Sequence, residues 1–482
     1  MSIRLPRLVI AGLSGDSGKT IVSLCVIAAL RRRGLNISVY KKGPDYIDAA
    51  WLSVAADGVC RNLDTYMVDS EVVRHRFLES ATGSDLAIIE GNRGLYDGFD
   101  PHGTHSTAEL ANLLKAPVVL VVDATKVTRT VAAMINGCLG FPSSPQIAGI
   151  ILNRISGKRH RAVVSDSIKE YCGLPVLGAI PRLDFDRSMI PGRHLGLITP
   201  AEYAGGKEVS RRLAEIADEY LDIEGIRKVA DGACGLDIGS RARGEVKSKR
   251  VRIGYFRDSV FTFYYPENLE ALVENGAELV EVSATDDSGL PDIDALYIGG
   301  GFPETQAERL TKNKAMLSAV RDGAQAGMPI YAECGGLIYL SRSIKWDRKR
   351  HFMSGVFTLD LVMSKKPAGH GYISLEVDRP NPFFEEGELL QGHEFHYSRP
   401  EGEVDMTSSC FAVRRGAGID RGRDGLVFEN VLACYTHIHA DGVKGWAPSL
   451  VKKAMAYRKR RSPENRADFG KAALRSNPAL TA

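Results

Sequence analysis

Four apolar runs punctuate the first 200 residues: RLVIAG (7–12), LAIIEG (86–91), PVVLVVDA (117–124) and AGIILNR (148–154). Each is a near-continuous Val/Ile/Leu block rather than an apolar–polar alternation. That is the pattern of parallel strands buried on both faces. Between the runs the spacing turns helical, as in TIVSLCVIAALRRRG (20–34), which stops at a glycine. The alternation predicts a doubly wound α/β domain over residues 1–224. GIRKVADGACGLDIGSRARGEVKSKR (225–250) is rich in Gly, Ala and charge and holds no period, so it reads as an interdomain linker. The strand–helix rhythm resumes at VRIGYF (251–256), ALYIGGG (295–301) and PIYAECGG (329–336), predicting a second α/β domain over 251–457. Residues 458–482 open with RKRR and read as a basic, polar tail: a helix end followed by solvated chain.

Composition narrows the class. A chain of 482 residues has room for several domains with their own cores, and 44% hydrophobic with 25% charged residues argues against a disordered chain. Lys and Arg (62) barely exceed Asp and Glu (59), so no nucleic-acid partner is expected. The eight cysteines form no CxxC pair, which suits neither a zinc site nor a disulfide framework and points to a reducing cytoplasm. No apolar run approaches the ~18–20 residues of a membrane span. The N-terminal MSIRLPRLVIAGLSG has no signal-peptide cleavage site and runs straight into a glycine loop.

That loop carries the first candidate chemistry. GLSGDSGKT (12–20) sits between a strand and an apolar helix, where backbone N–H groups and a helix N-terminus face a phosphate. Gly12, Gly15 and Gly18 supply the turn, Lys19 reaches the β/γ-phosphates of ATP, and Thr20 can ligate Mg²⁺. The loop is one residue longer than the common P-loop. Acids follow at two strand ends: KGPDYID (42–48) with Asp45 and Asp48, and EGNRGLYDG (90–98) with Glu90 and Asp97. Phosphoryl transfer needs carboxylates for Mg²⁺ and a cation on the moving phosphate, here Lys19 with Lys42 as a second candidate. Any one of these acids alone reads as a turn or solvated residue; four beyond a phosphate loop favour function. Asn153, after AGIIL, can read a nucleotide base or simply close a turn. Ser106 and Thr107 read as a helix N-cap.

The second domain offers a nucleophile. In PIYAECGGL (329–337), Cys334 falls between a strand and a helix, on a turn that exposes a thiol beside a helix N-terminus. The glycines of YIGGGFPE (297–304) can line an oxyanion hole. A base is available in YTHIH (435–439), where His437 and His439 point the same way on a strand. A zinc pair lacks partners at metal spacing, and GHEFH (392–396) places its histidines three apart, so no helical HExxH exists.

Together these motifs resemble the cobyrinic acid a,c-diamide synthase family, over nearly the whole chain. The first half resembles dethiobiotin-synthetase-like ATPases, with GPDYID (43–48) and EGNRGLYDG (90–98) specific to the diamide synthase branch. The second half resembles class I glutamine amidotransferase domains, through GGGFPE (299–304), AECGGLIYL (332–340) and GHEFHYSR (392–399). The resemblance implies a ligase that uses ATP, Mg²⁺ and L-glutamine to amidate the a- and c-acetates of a tetrapyrrole polycarboxylate through acyl phosphates. It implies Cys334 as the nucleophile, His437 as its base, and Gly300 and Gly301 as oxyanion donors. Thr20, Asp45 and Glu90 become metal ligands, Asp48 and Asp97 phosphoryl-transfer acids, Tyr46 and Ile47 the tetrapyrrole contacts, and Asn153 a nucleotide contact. The class I pattern has Glu two residues after the histidine; here His439 stands there, as a Cys–His dyad allows. Cobyrinic acid is the first substrate reading. Hydrogenobyrinic acid, sirohydrochlorin, nickel-sirohydrochlorin and siroheme are alternatives, and a homodimer stays open. From other classes come a partitioning-type ATPase switch, which leaves Cys334 unexplained, and a degenerate regulatory amidotransferase, which the intact Cys334 and His437 oppose.

Overall fold

The computed structural model describes residues 2–183, 192–193, 196–203, 205–237 and 248–461. The chain divides into two compact units, Met1–Ala242 and Arg243–Ala482.

The first unit is built on seven parallel strands: β1 (Arg7–Gly12), β2 (Ile37–Lys42), β3 (Cys60–Leu63), β4 (Leu86–Gly94), β5 (Val118–Asp123), β6 (Ile147–Ile155) and β7 (Val176–Pro181), in the order β3-β2-β4-β1-β5-β6-β7. The four apolar runs are therefore inner strands, and β1 lies where the strand order reverses. Ligands of open α/β sheets bind beyond the strand ends at such a point. Helix α1 (Lys19–Arg32) follows β1, and every residue from Val22 to Leu30 is buried. A helix apolar all round must be covered on both sides. The sheet takes one side, and α3 (Gly206–Tyr220) packs on the other, after α2 (Tyr46–Ala56).

The linker expectation changes at its start. Residues Ile223–Asp231 form helix α4, whose Ile226 and Ala230 are fully buried in the first unit's core. Beyond it Leu236–Asp237 pairs antiparallel with Ser2–Ile3. The buried Arg7 guanidinium donates to Leu5 O, Leu114 O, Lys115 O and Cys234 O, tying this segment to the sheet. The residues expected between 238 and 247 lie outside the described ones.

The second unit holds a ten-stranded mixed sheet. Its strands are β8 (Val251–Phe256), β9 (Ala277–Val282), β10 (Ala295–Ile298), β11 (Ile330–Glu333), β12 (Gly369–Val377), β13 (Leu389–His396), β14 (Ser409–Arg415), β15 (Arg423–Phe428), β16 (Val431–Cys434) and β17 (His437–Ile438), ordered β9-β8-β10-β11-β16-β15-β14-β12-β13-β17. The half running from β9 to β16 is parallel, and the rest is antiparallel. β11 is central, so its C-terminal end is enclosed. Helix α5 (Gly335–Leu340) follows it directly, and α6 (Trp446–Arg461) closes the unit with Trp446, Leu450 and Ala454 buried. The four basic residues that begin the expected tail form the last turn of α6. There Arg460 donates to Gly327 O and Arg461 to Ile293 O. Residues 462–482 lie outside the described ones. Among the described residues no helix is long and apolar enough to cross a membrane.

Candidate active site

In the first unit, the loop after β1 ends at Gly18, whose left-handed φ of 89° turns the chain into α1. A side chain there would be strained, and its Cβ would stand 2.1 Å from Asn153 Nδ2. Asn153 in turn donates to Ser17 O at 3.0 Å and accepts from Arg154 N at 2.9 Å. Its amide braces the loop. Gly15 lies on the exposed outer turn. Lys19 is buried, with Nζ 3.3 Å from Ser14 O, and burial together with Lys41 lowers its pKa.

Thr20 leads to the centre of the site. Its hydroxyl donates to Glu90 Oε1 at 2.8 Å and reaches Asp48 Oδ2 at 3.3 Å. Lys41, in β2, donates to the same two oxygens at 2.7 and 2.6 Å. Sequence reasoning offered Lys42 as the second cation and missed Lys41. Successive strand side chains point to opposite faces. Lys42 accordingly has Asp64, Arg93 and Glu109 as its charged neighbours. Burial alone would lower the Lys41 pKa, but Asp48, Glu90 and Asp45 outweigh it and hold the ammonium well above its ordinary range. Asp48 stays low because Lys41 overcomes its burial, whereas burial and Asp48 push the Glu90 carboxyl up.

Asp45 caps α2 by accepting from Asp48 N at 2.9 Å. Asp97 accepts from Gly94 N at 2.8 Å on the turn beyond β4, so its carboxylate holds that turn. Tyr46 and Ile47, half-buried, open α2. Ser106 caps its helix by accepting from Glu109 N. Mg²⁺ takes hard oxygen donors and keeps waters and phosphate oxygens around it, so it needs few protein ligands. The Thr20 hydroxyl and Glu90 Oε2, a buried oxygen with no hydrogen-bond partner, fit such an ion. No group of three or more His, Cys, Asp or Glu at metal spacing occurs among the described residues, so such an ion would depend on the nucleotide's own oxygens.

Burial and the neighbouring Asp48 carboxylate push the Asp45 carboxyl up to about 7. An unfolded Asp titrates near 3.9, so the folded chain keeps a proton that the unfolded chain releases, and stability falls as pH rises from about 4 to about 7. Asparagine caps a helix equally well but carries no titrating proton. The Asp45→Asn variant, nucleotide-free, is therefore expected to lose less thermal stability than the parent between about pH 5 and 7. Equal slopes in calorimetry would contradict this.

In the second unit, Cys334 follows β11 with φ 50° and ψ −95°, a strained turn held by its N–H donating to Cys434 O at 2.7 Å. Burial, with Glu304 adding to it, pushes the thiol pKa far up. A thiolate must then form by direct proton transfer to a base. The oxyanion loop is at hand: a Cβ on Gly335 would lie 3.0 Å from Gly301 N, and one on Gly300 would lie 2.5 Å from His437 Cε1. The thiol's turn, the Gly300–Gly301 loop and His437 thus meet in one place. Gly300→Ala is expected to push His437 aside and lower glutaminase turnover roughly 10²-fold; steady-state assay of ammonia release checks this, and a change under threefold would refute the close approach.

His437 stacks on His393 with centroids 4.7 Å apart and planes at 14°. Burial, with His437 and His439 nearby, holds His393 well below the ordinary histidine pKa, so it packs as a neutral ring. His439 does not share this arrangement. Its Nδ1 accepts from Asp441 N at 3.2 Å and its Nε2 lies 3.5 Å from Glu267. GHEFH lies in β13, where Glu394 accepts from Ala417 N and Gly418 N and His396 stacks on Tyr435.

Comparison with known proteins identifies both halves of the chain. Residues 8–192 match the CobQ/CobB/MinD/ParA nucleotide binding domain, and 252–444 match the CobB/CobQ-like glutamine amidotransferase domain. A protein named cobyrinate a,c-diamide synthase from Magnetococcus marinus is 41% identical over 94% of this chain and 98% of its own length. One of the same name from Archaeoglobus fulgidus is 41% identical over the same shares. A third, from Methanosarcina acetivorans, is 38% identical over 95% and 97%. With a nucleotide-binding and a glutamine amidotransferase domain in one chain, the protein is an ATP-dependent glutamine amidotransferase ligase, and it belongs to the cobyrinate a,c-diamide synthase family.

Proposed function

We propose that this ligase converts the a- and c-acetate carboxylates of cobyrinic acid to amides. The observation that carries the substrate assignment is the identity sustained over both halves with relatives named for that reaction.

The chemistry divides between two sites. In the second unit Cys334 Sγ attacks the side-chain amide carbon of glutamine as His437 takes the thiol proton. Gly300 and Gly301 N–H groups hold the oxyanion. Collapse expels ammonia, with His437 returning the proton, and leaves a glutamyl thioester that water hydrolyses. In the first unit the loop from Gly12 to Thr20 cradles the ATP phosphates, and Lys19 offsets charge on the γ-phosphoryl group. A substrate carboxylate oxygen attacks that phosphorus, ADP leaves, and the acyl phosphate forms. Ammonia then attacks the acyl carbon, phosphate departs and an amide remains. Thr20, Glu90 and an ionised Asp45 would hold Mg²⁺, which supplies neutralisation of phosphate charge. Lys41 keeps Asp48 ionised beside Thr20, and Tyr46 and Ile47 at the start of α2 line the tetrapyrrole.

Asp45→Asn separates the two sites. It is expected to lower amidation of cobyrinic acid at least 10²-fold, with glutaminase turnover at Cys334 retained, as followed by product mass and ammonia release. Unchanged amidation would remove Asp45 from the mechanism.

A further inference from the structure

A base that takes a thiol proton becomes an imidazolium, and in a buried site that charge needs a counter-charge. The residue two beyond His437 is His439, which is committed to Glu267 and Asp441 N. The acid comes from elsewhere. Glu333, the last residue of β11 and the one immediately before the nucleophile, is fully buried, and its Oε2 lies 3.4 Å from His437 Nδ1. We propose that Glu333 is the positioning residue of the glutaminase site, holding the His437 ring with Nδ1–H toward its carboxylate so that Nε2 serves the Cys334 thiol.

Three observations support this. First, the carboxylate is fixed before any substrate arrives. Tyr297 OH donates to Oε2 at 3.0 Å and Ile438 N donates to Oε1 at 3.2 Å, so β10 and β17 anchor it from two sides. Second, His437 is the cation-forming group that the ion pairs assign to Glu333. A buried acid beside the imidazole is placed to act as the counter-ion once His437 takes the thiol proton. Third, the ring orientation fits. Gly300 abuts His437 Cε1, the carbon between the two nitrogens. With Nδ1 turned to Glu333, the ring edge at Cε1 faces the oxyanion loop, which itself adjoins Gly335 beside the nucleophile. The 3.4 Å separation is long for a hydrogen bond, as is common before substrate tightens a site. Placing nucleophile and orienting acid on adjacent residues also makes one strand set both.

The inference rests on the Cys334–His437 reading, and the test separates the two. Full-length Glu333→Gln, His437→Ala and Tyr297→Phe are assayed for glutaminase kcat and KM, and for ammonia-dependent amidation of cobyrinic acid as the control for folding. Glu333→Gln is expected to lower glutaminase kcat roughly 10²–10⁴-fold with KM within about threefold, because glutamine contacts are kept and the tautomer is lost. Tyr297→Phe loosens the carboxylate without removing it and should lower kcat about three- to tenfold. Loss of glutaminase in His437→Ala with normal kcat in Glu333→Gln, or a Glu333→Gln loss confined to KM, would overturn the positioning role alone. If Glu333→Gln does not fold, an unchanged kcat in Tyr297→Phe overturns it. Full glutaminase turnover in His437→Ala would instead overturn the dyad beneath it.

Discussion

Replacing Cys334 with alanine is expected to abolish glutamine-dependent amidation, lowering it roughly 10³-fold or more, while ammonia-dependent amidation stays within about twofold. The size follows from the chemistry. Without a thiol there is no thioester, and water must attack an unactivated amide with only the oxyanion loop and binding to help. The selectivity follows from the construction. Cys334 lies on the turn between β11 and α5 of the second unit, whereas Lys19, Thr20, Asp48 and Glu90 belong to the first. Alanine also tolerates less well the positive φ of 50° at this turn than glycine would, so Cys334→Gly serves as a second variant with a relaxed backbone. The check is product mass with glutamine or ammonium salt as the nitrogen source. Glutamine-dependent product from either variant would remove Cys334 as the nucleophile.

Replacing Lys41 with methionine is expected to destabilise the protein by about 3–5 kcal/mol and to stop amidation at the ATP site while glutaminase activity survives. Lys41 is 2% exposed and its single ammonium is shared by two acids, one of which, Glu90, is fully buried. Methionine fills a similar volume, so the loss is electrostatic: two acids remain with their compensating cation gone. For a unit of the size of Met1–Ala242 the deficit lowers the unfolding midpoint by roughly 6–10 °C. The triple variant Lys41→Met, Asp48→Asn, Glu90→Gln removes the stranded charge together with the cation and should recover most of the stability, though not the activity. Calorimetry of both variants checks this. An unchanged midpoint in the single variant would mean that water or counter-ions already screen the cluster.

Much of this was legible in the chain, and what was not has definite causes. Continuous Val/Ile/Leu runs announce buried parallel strands, and β1, β4, β5 and β6 fall on them within a few residues. Phosphate loop and cysteine turn are read from short-range geometry, because each is a strand, a few residues and a helix. Side-chain direction is harder. Lys41 and Lys42 are indistinguishable in sequence, and only the strand's facing places one among the carboxylates. Glu333 was masked by the expectation of an acid after His437, since pairing between β11 and β17 residues is invisible along the chain. Asp97 and Asn153 each also satisfy nearby backbone, a structural role that short polar side chains at turns commonly take and that spacing alone does not show. Helix α4 hid in a segment rich in Gly and charge, although Ile223, Ile226 and Ala230 carry a helical stripe.

The most direct test of the two-site account is mass spectrometry of the purified full chain with MgATP and amide-labelled ¹⁵N-glutamine. Cobyrinic acid, hydrogenobyrinic acid, sirohydrochlorin, nickel-sirohydrochlorin and siroheme would be offered in parallel. The account predicts two carboxylate-to-amide conversions on cobyrinic acid, each amide carrying the label. Conversion confined to the sirohydrochlorin or siroheme set would keep the chemistry and refute the corrin assignment. ATP hydrolysis with no amidation of any of them would contradict the ligase itself.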